Sequence, residues 1–181
     1  MTSHPRRPPP APHTETGAKT GRRAARLGIF AAALLACGPA LARDSLGVFD
    51  DWGAFRDGEA PRCYAIAQPD DDGASGGYAT ISFWPRARVA TQFYAALVRP
   101  AAAGSTATLT VGGRRFTLMV RGRGAWAADA RADAAIVGAM RTATAMTLAV
   151  QDAAGRGYSQ TWRLRGAATA IDAAALGCAT R

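Results

Sequence analysis

Lysine and histidine are nearly missing from this chain of 181 residues, and their placement matters more than their number. The only lysine is Lys19 and the two histidines are His4 and His13, so residues 43–181 contain neither. A domain built from those residues has no Ser-His-Asp triad, Cys-His pair, Ser-Lys dyad, lysine Schiff base or histidine-ligated zinc. Most familiar hydrolase mechanisms are excluded with them. Glutamate in the same span is reduced to Glu59, which leaves carboxylate chemistry to aspartate. Cysteine is scarce, with Cys37, Cys63 and Cys178. The apolar run 27–37 is too short for a membrane-spanning helix, which needs roughly 20 residues.

What stands at the start of the chain reads as an address. Residues 1–26 carry Arg6, Arg7, Lys19, Arg22, Arg23 and Arg26 against the single acid Glu15, and the apolar run follows at once. Pro39-Ala40-Leu41-Ala42 then puts small residues, Ala40 and Ala42, at the two positions a signal peptidase reads. The pattern predicts a signal peptide over 1–42 with a long basic, proline-rich first region, cleaved after Ala42, and one exported domain over 43–181. Leu34-Leu35-Ala36-Cys37 also resembles a lipoprotein box, which would place a lipid on Cys37. That lipid, or an uncleaved signal, is the only membrane link in the sequence. Arg22-Arg23 is followed by Ala24-Ala25-Arg26 where twin-arginine export would need apolar residues, so ordinary export is the reading. Residues 1–42 hold six of the 22 basic residues and one of the 13 acids, which reduces the net charge from +9 to +4 for the remainder. Nucleic acid is therefore not an expected partner, and the periplasm or the outer surface is the expected location.

Beyond residue 42 the chain reads as short strands between glycine and proline punctuation. Cys63 and Cys178 are an even pair in an oxidising compartment and predict a disulfide. Its loop of about 116 residues would contribute on the order of 4–5 kcal/mol in the chain-entropy model. Strands are expected at 46–55, 62–67, 78–84, 91–98, 105–111, 114–120, 145–151 and 158–165. Ala79, Ile81 and Phe83 alternate with Thr80 and Ser82, while 91–98 is apolar on both faces and so central in its sheet. Gly112-Gly113 suits a type I′ hairpin that sets Leu109 opposite Phe116, Ala107 opposite Leu118 and Thr108 opposite Thr117. Tyr158, Gln160, Trp162 and Leu164 share one face of the last strand. An amphipathic helix over 130–141 is capped by Asp129. A short C-terminal helix of about two turns should start from the capping box Thr169-Ala170-Ile171-Asp172 and stop at Gly177. Together these predict a mainly β protein, a β-sandwich of about seven or eight antiparallel strands.

With these residues placed, the chain resembles the invasion-associated locus B family of exported alphaproteobacterial proteins, as a divergent member. The resemblance lies in Trp52, Arg62-Cys63-Tyr64-Ala65, Ala125-Trp126, the helix Asp133-Ala134-Ala135-Ile136-Val137-Gly138-Ala139-Met140-Arg141, and Trp162-Arg163-Leu164-Arg165-Gly166-Ala167-Ala168-Thr169-Ala170-Ile171. It covers most of residues 46–178. It implies a periplasmic or surface-associated β-rich protein, linked in some pathogens with entry into host cells, and brings no catalytic residue set.

Three groups of residues invite a functional reading. Asp70-Asp71-Asp72-Gly73 is a solvated turn or a weak cation site, and lacks the alternating acids and distant bidentate glutamate of a calcium loop. Arg114, Arg115, Arg121, Arg123, Arg163 and Arg165 are a candidate anion-binding surface for lipid head groups or acidic glycans, or else a solvated arginine surface. Trp52, Trp84, Trp126 and Trp162, with Tyr64, Tyr78, Tyr94 and Tyr158, are core packing or a sugar-stacking platform. No metal and no cofactor is expected. The reading is a non-enzymatic exported protein that binds envelope components, anionic lipid, glycan or another protein, or has a structural role. The alternative is a carboxylate-dependent enzyme acting on envelope or extracellular polysaccharide.

Overall fold

A computed structural model describes residues 43–58, 62–70, 76–85 and 91–179. The expected leader, its cleavage residues Ala40 and Ala42, and Cys37 lie outside the described residues. The strands are β1 (Asp44–Phe49), β2 (Trp52–Asp57), β3 (Arg62–Ala67), β4 (Tyr78–Phe83), β5 (Gln92–Ala96), β6 (Thr106–Val111), β7 (Arg114–Arg121), β8 (Gly124–Ala127), β9 (Ala145–Gln151) and β10 (Gly157–Arg163). Helix α1 (Ala130–Met140) lies between β8 and β9, and α2 (Ala167–Ala179) follows β10. No helix among the described residues is long and apolar enough to cross a membrane.

The mainly β reading with two helices holds, with ten strands where seven or eight were expected. Ten antiparallel strands form one sheet in the order β1-β2-β3-β4-β5-β8-β7-β6-β9-β10, where two stacked sheets of seven or eight strands were expected. Two local events raise the count. The stretch expected as one strand at 46–55 turns at Asp50-Asp51, with Asp50 in the left-handed region at φ 50 that aspartate tolerates better than most residues. Strand β8 is four residues long, too short to show a period in sequence.

The sheet is open, with β1 and β10 at its ends, but it coils until β10 lies against the first half. Gln160 on β10 has no exposed surface; its Oε1 accepts from Val98 N at 3.2 Å and its Nε2 donates to Ala96 O at 3.3 Å. Trp52 Nε1 donates to Arg163 O at 2.9 Å, and Asp70 N donates to Thr161 O at 2.8 Å. A common core fills the space inside the coil, with Trp52 and Trp162 among its largest fully buried side chains.

The expected hairpin is present. Gly112 and Gly113 take φ 52 and 84, and Leu109 pairs with Phe116, Ala107 with Leu118 and Thr108 with Thr117. Strand β5 is the fifth of the ten, as its two-sided apolar pattern requires, and Asp129 caps α1 by accepting from Ala132 N at 2.8 Å.

The closing helix differs from expectation at both ends. It starts at Ala167, directly after Gly166 at φ 83, so Thr169 lies within its first turn and is not its cap. It also runs through Gly177, because a side chain there would meet the Leu46 methyls of β1; the glycine allows close packing and does not stop the helix. Ala167, Ala170, Ile171 and Ala174 recur at helical spacing and are buried over β1, β2 and β3. The sheet surface beneath contains Ala54 and Ala65, so small side chains meet small side chains and backbones approach closely. Each buried alanine methyl contributes on the order of 1 kcal/mol, against about 2–3 kcal/mol for a leucine or phenylalanine. Here the predicted disulfide is in place: Cys63 of β3 and Cys178 of α2 are bonded, with Cα atoms 5.8 Å apart.

Candidate ligand recess on the outer face of the sheet

Alternation along β3, β4 and β5 sorts their residues onto two faces. Inward go Cys63, Ala65 and Ala67, then Ala79 and Ile81, then Phe93 and Ala95, all buried. Outward go Tyr64 and Ile66, Tyr78, Thr80 and Ser82, and Gln92 and Tyr94. Register sets Tyr64 beside Ser82 beside Gln92, and Ile66 beside Thr80 beside Tyr94. The middle strand therefore presents small hydroxyl residues between larger neighbours. Thr80 and Ser82 are only 6% and 3% exposed and form the floor of a recess of about 430 Å³, whose walls are the flanking side chains.

The walls are aromatic. Tyr78 and Tyr94 have ring centroids 6.0 Å apart at a tilt of 46°, and Phe55 of β2 lies 5.9 Å from Tyr64. Gly124 of β8 makes room for Tyr94, since a Cβ there would stand 3.1 Å from the ring and 3.3 Å from Trp126. Burial raises the Tyr94 hydroxyl above its ordinary pKa, with nearby Tyr78 adding to the effect. Burial likewise raises Tyr64, with Asp57 adding and Arg43 and Arg62 opposing. Both phenols stay protonated at neutral pH and can donate. Among the described residues, no hydrogen bond engages the Tyr78, Tyr94, Thr80 or Ser82 hydroxyls or the Gln92 amide.

Arg62 and Arg43 line the recess together with Trp84. The guanidinium of Arg62 lies 4.4 Å from the Tyr64 ring centroid and 5.4 Å from that of Trp84. Asp57 holds it along one edge, accepting from Nε at 2.9 Å and standing 2.8 Å from Nη2. Arg43 Nε is 3.6 Å from the other Asp57 oxygen. The recess thus combines flat apolar rings, uncommitted hydroxyl and amide groups, and two cations that share one acid. Such a set suits an amphipathic ligand with faces to stack and hydroxyls to bond.

The six arginines expected to form an anion-binding surface are not brought together. Arg114 and Arg115 begin the eight-residue strand β7, while Arg121 ends it and Arg123 lies in the next turn. Arg123 Nε donates to Leu97 O at 3.0 Å. Arg163 and Arg165 are matched by acids distant in sequence: Arg163 Nε is 2.6 Å from Asp70, and Arg165 Nε is 3.4 Å from Asp50 and 3.7 Å from Asp51. Asp70 is thus engaged, and the rest of its turn, Asp71, Asp72 and Gly73, lies outside the described residues. Among the described residues, no group of three or more His, Cys, Asp or Glu side chains is placed to hold a metal ion. The aromatic residues divide between the two readings. Trp52 and Trp162 pack in the core, whereas Tyr64, Tyr78, Trp84 and Tyr94 line the recess. Sequence reasoning missed Arg43, Asp57 and Arg62. The available signal was bulky aromatics on the outward phase of strands whose inward phase is largely alanine. Compared with protein-family models, with curated proteins and with solved structures, the chain matches none.

Proposed function

We propose that this is an exported, non-enzymatic binding protein of the invasion-associated locus B type, acting in the periplasm or at the outer surface, and that a saccharide occupies its outer-face recess. One observation carries the reading: aromatic walls rise over a floor of small hydroxyl residues, and among the described residues the Tyr78, Tyr94, Thr80 and Ser82 hydroxyls and the Gln92 amide are uncommitted. Sugar rings offer the matching chemistry, with C–H faces for the rings and hydroxyls for Thr80, Ser82, Gln92 and the phenols.

The enzymatic alternative makes a different demand on the recess. Glycoside cleavage uses two carboxyl groups about 5–10 Å apart across the scissile bond. Among the described residues the recess has only Asp57 beside it, held by Arg62 and Arg43.

Titration of the purified protein with a panel of soluble oligosaccharides, followed by calorimetry and tryptophan fluorescence, tests the proposal. Saturable binding without product is expected, and Tyr94→Ala should weaken it about tenfold or more, equivalent to about 1.4 kcal/mol. Binding that Tyr94→Ala leaves unchanged would remove the recess from consideration. Turnover abolished by Asp57→Asn would establish the enzyme instead.

A further inference from the structure

We infer that the saccharide taken by the recess carries a carboxylate, and that Arg62 reads it. The inference rests on the saccharide reading above and adds the charge of the ligand. Asp57 occupies the Nε edge of Arg62 and the Tyr64 hydroxyl accepts a further hydrogen bond from the guanidinium, so part of its set of five N–H donors is left over for a ligand. An arginine has five N–H donors in a planar fork, and its second edge matches a carboxylate with two parallel hydrogen bonds. Tyr64 and Trp84 lie close to the guanidinium plane and, with Asp57, hold the fork before any ligand arrives. Arg43 is largely exposed and shares the same acid, so the described residues at the mouth carry one positive charge in excess.

Arg163 and Arg165 are also strand-end arginines near aspartates, but three acids, Asp50, Asp51 and Asp70, meet those two cations. Among the described residues beside the recess the ratio is reversed, with two cations to one acid. The excess lies where Tyr64, kept protonated by burial, adds a neutral donor. A neutral sugar would leave the excess charge and the remaining N–H donors of Arg62 without an anionic partner.

A matched pair of probes tests this: a uronate trisaccharide and its fully methyl-esterified form, which has the same rings without the charge. The full-length protein should bind the acid at least tenfold more tightly than the ester in low salt, and the preference should shrink as ionic strength rises. Arg62→Gln should bring the two affinities together, and Arg115→Gln, on a distant part of the sheet, should leave the preference intact. Should Arg62→Gln fail to fold, Arg43→Gln and the salt dependence of the unmodified protein supply the same reading. Equal affinity for acid and ester would overturn the inference and leave the saccharide reading standing. Binding of neither probe, nor of any panel sugar, would remove the saccharide reading itself. Tighter binding of a sugar phosphate than of the uronate would overturn the carboxylate assignment.

Discussion

Asp133 is an acid on the buried side of α1, and its Oδ1 accepts from Phe93 N at 2.8 Å. Burial raises its pKa, the Phe93 hydrogen bond lowers it, and Asp129 raises it further. The folded protein therefore holds this proton to a higher pH than the unfolded chain does. Its contribution to stability is full below the ordinary carboxylate value of about 4 and is lost as pH rises through the folded value. Asp133→Asn keeps an oxygen for Phe93 and removes the buried charge. We expect it to be at least as stable as the parent at pH 7, with a flatter stability curve between about pH 4 and pH 7, measured by urea denaturation at several pH values. A variant clearly weaker than the parent at pH 7 would show that the carboxylate itself is required. Residue identities carried some of this scale openly. The Leu109–Phe116 register followed from alternation and two glycines, and Asp129 followed from its place before an apolar period. The partners of Arg163 and Arg165 did not, because their acids come from turns roughly a hundred residues earlier and only the coil of the sheet brings them together.

Among the elements, α2 depends on one position at its start. Gly166 takes φ 83, and a Cβ there would run into the carbonyl oxygen of Phe49. Gly166→Ala must therefore move β1 away from α2 as well as accept an unfavourable backbone angle. A loss of at least about 3 kcal/mol is expected in denaturant unfolding. A loss under about 1 kcal/mol would show that the β1–β2 turn yields easily. In sequence this glycine was visible as a boundary, but the capping box after it gave the wrong start. Thr169 has helix on both sides because Gly166 already turns the chain and Ala167 already packs. Strand phase on β4 was equally legible, whereas 91–98 read as apolar on both faces; the recess needed the pairing of strands, which sets Thr80 and Ser82 between larger neighbours.

At the scale of the whole molecule, a core rich in alanine gains less from burial than a leucine core of the same length, and the disulfide offsets part of that difference. Replacing Cys63 and Cys178 by alanine together should cost about 4 kcal/mol, read from urea unfolding of the oxidised parent against the double variant. A difference below about 1 kcal/mol would mean that the unbridged chain keeps much of the same constraint. The pairing of these cysteines was legible once Cys37 was assigned to the expected leader. The single coiled sheet was not, since strand count and spacing are shared by sandwiches and coils, and a buried Gln160 between distant strands leaves no periodic trace. The bond has a further consequence, in time. Cys63 has no exposed surface in the packed domain, and its partner follows 115 residues later. With α2 in place an oxidant meets Cys178, which stays partly exposed, and the Cys63 thiolate completes the bond by attacking the mixed disulfide formed on Cys178 and releasing the reagent's thiol. Docking of the last helix therefore sets the order of events: it brings Cys178 to Cys63 and leaves Cys178 as the thiol that meets the reagent.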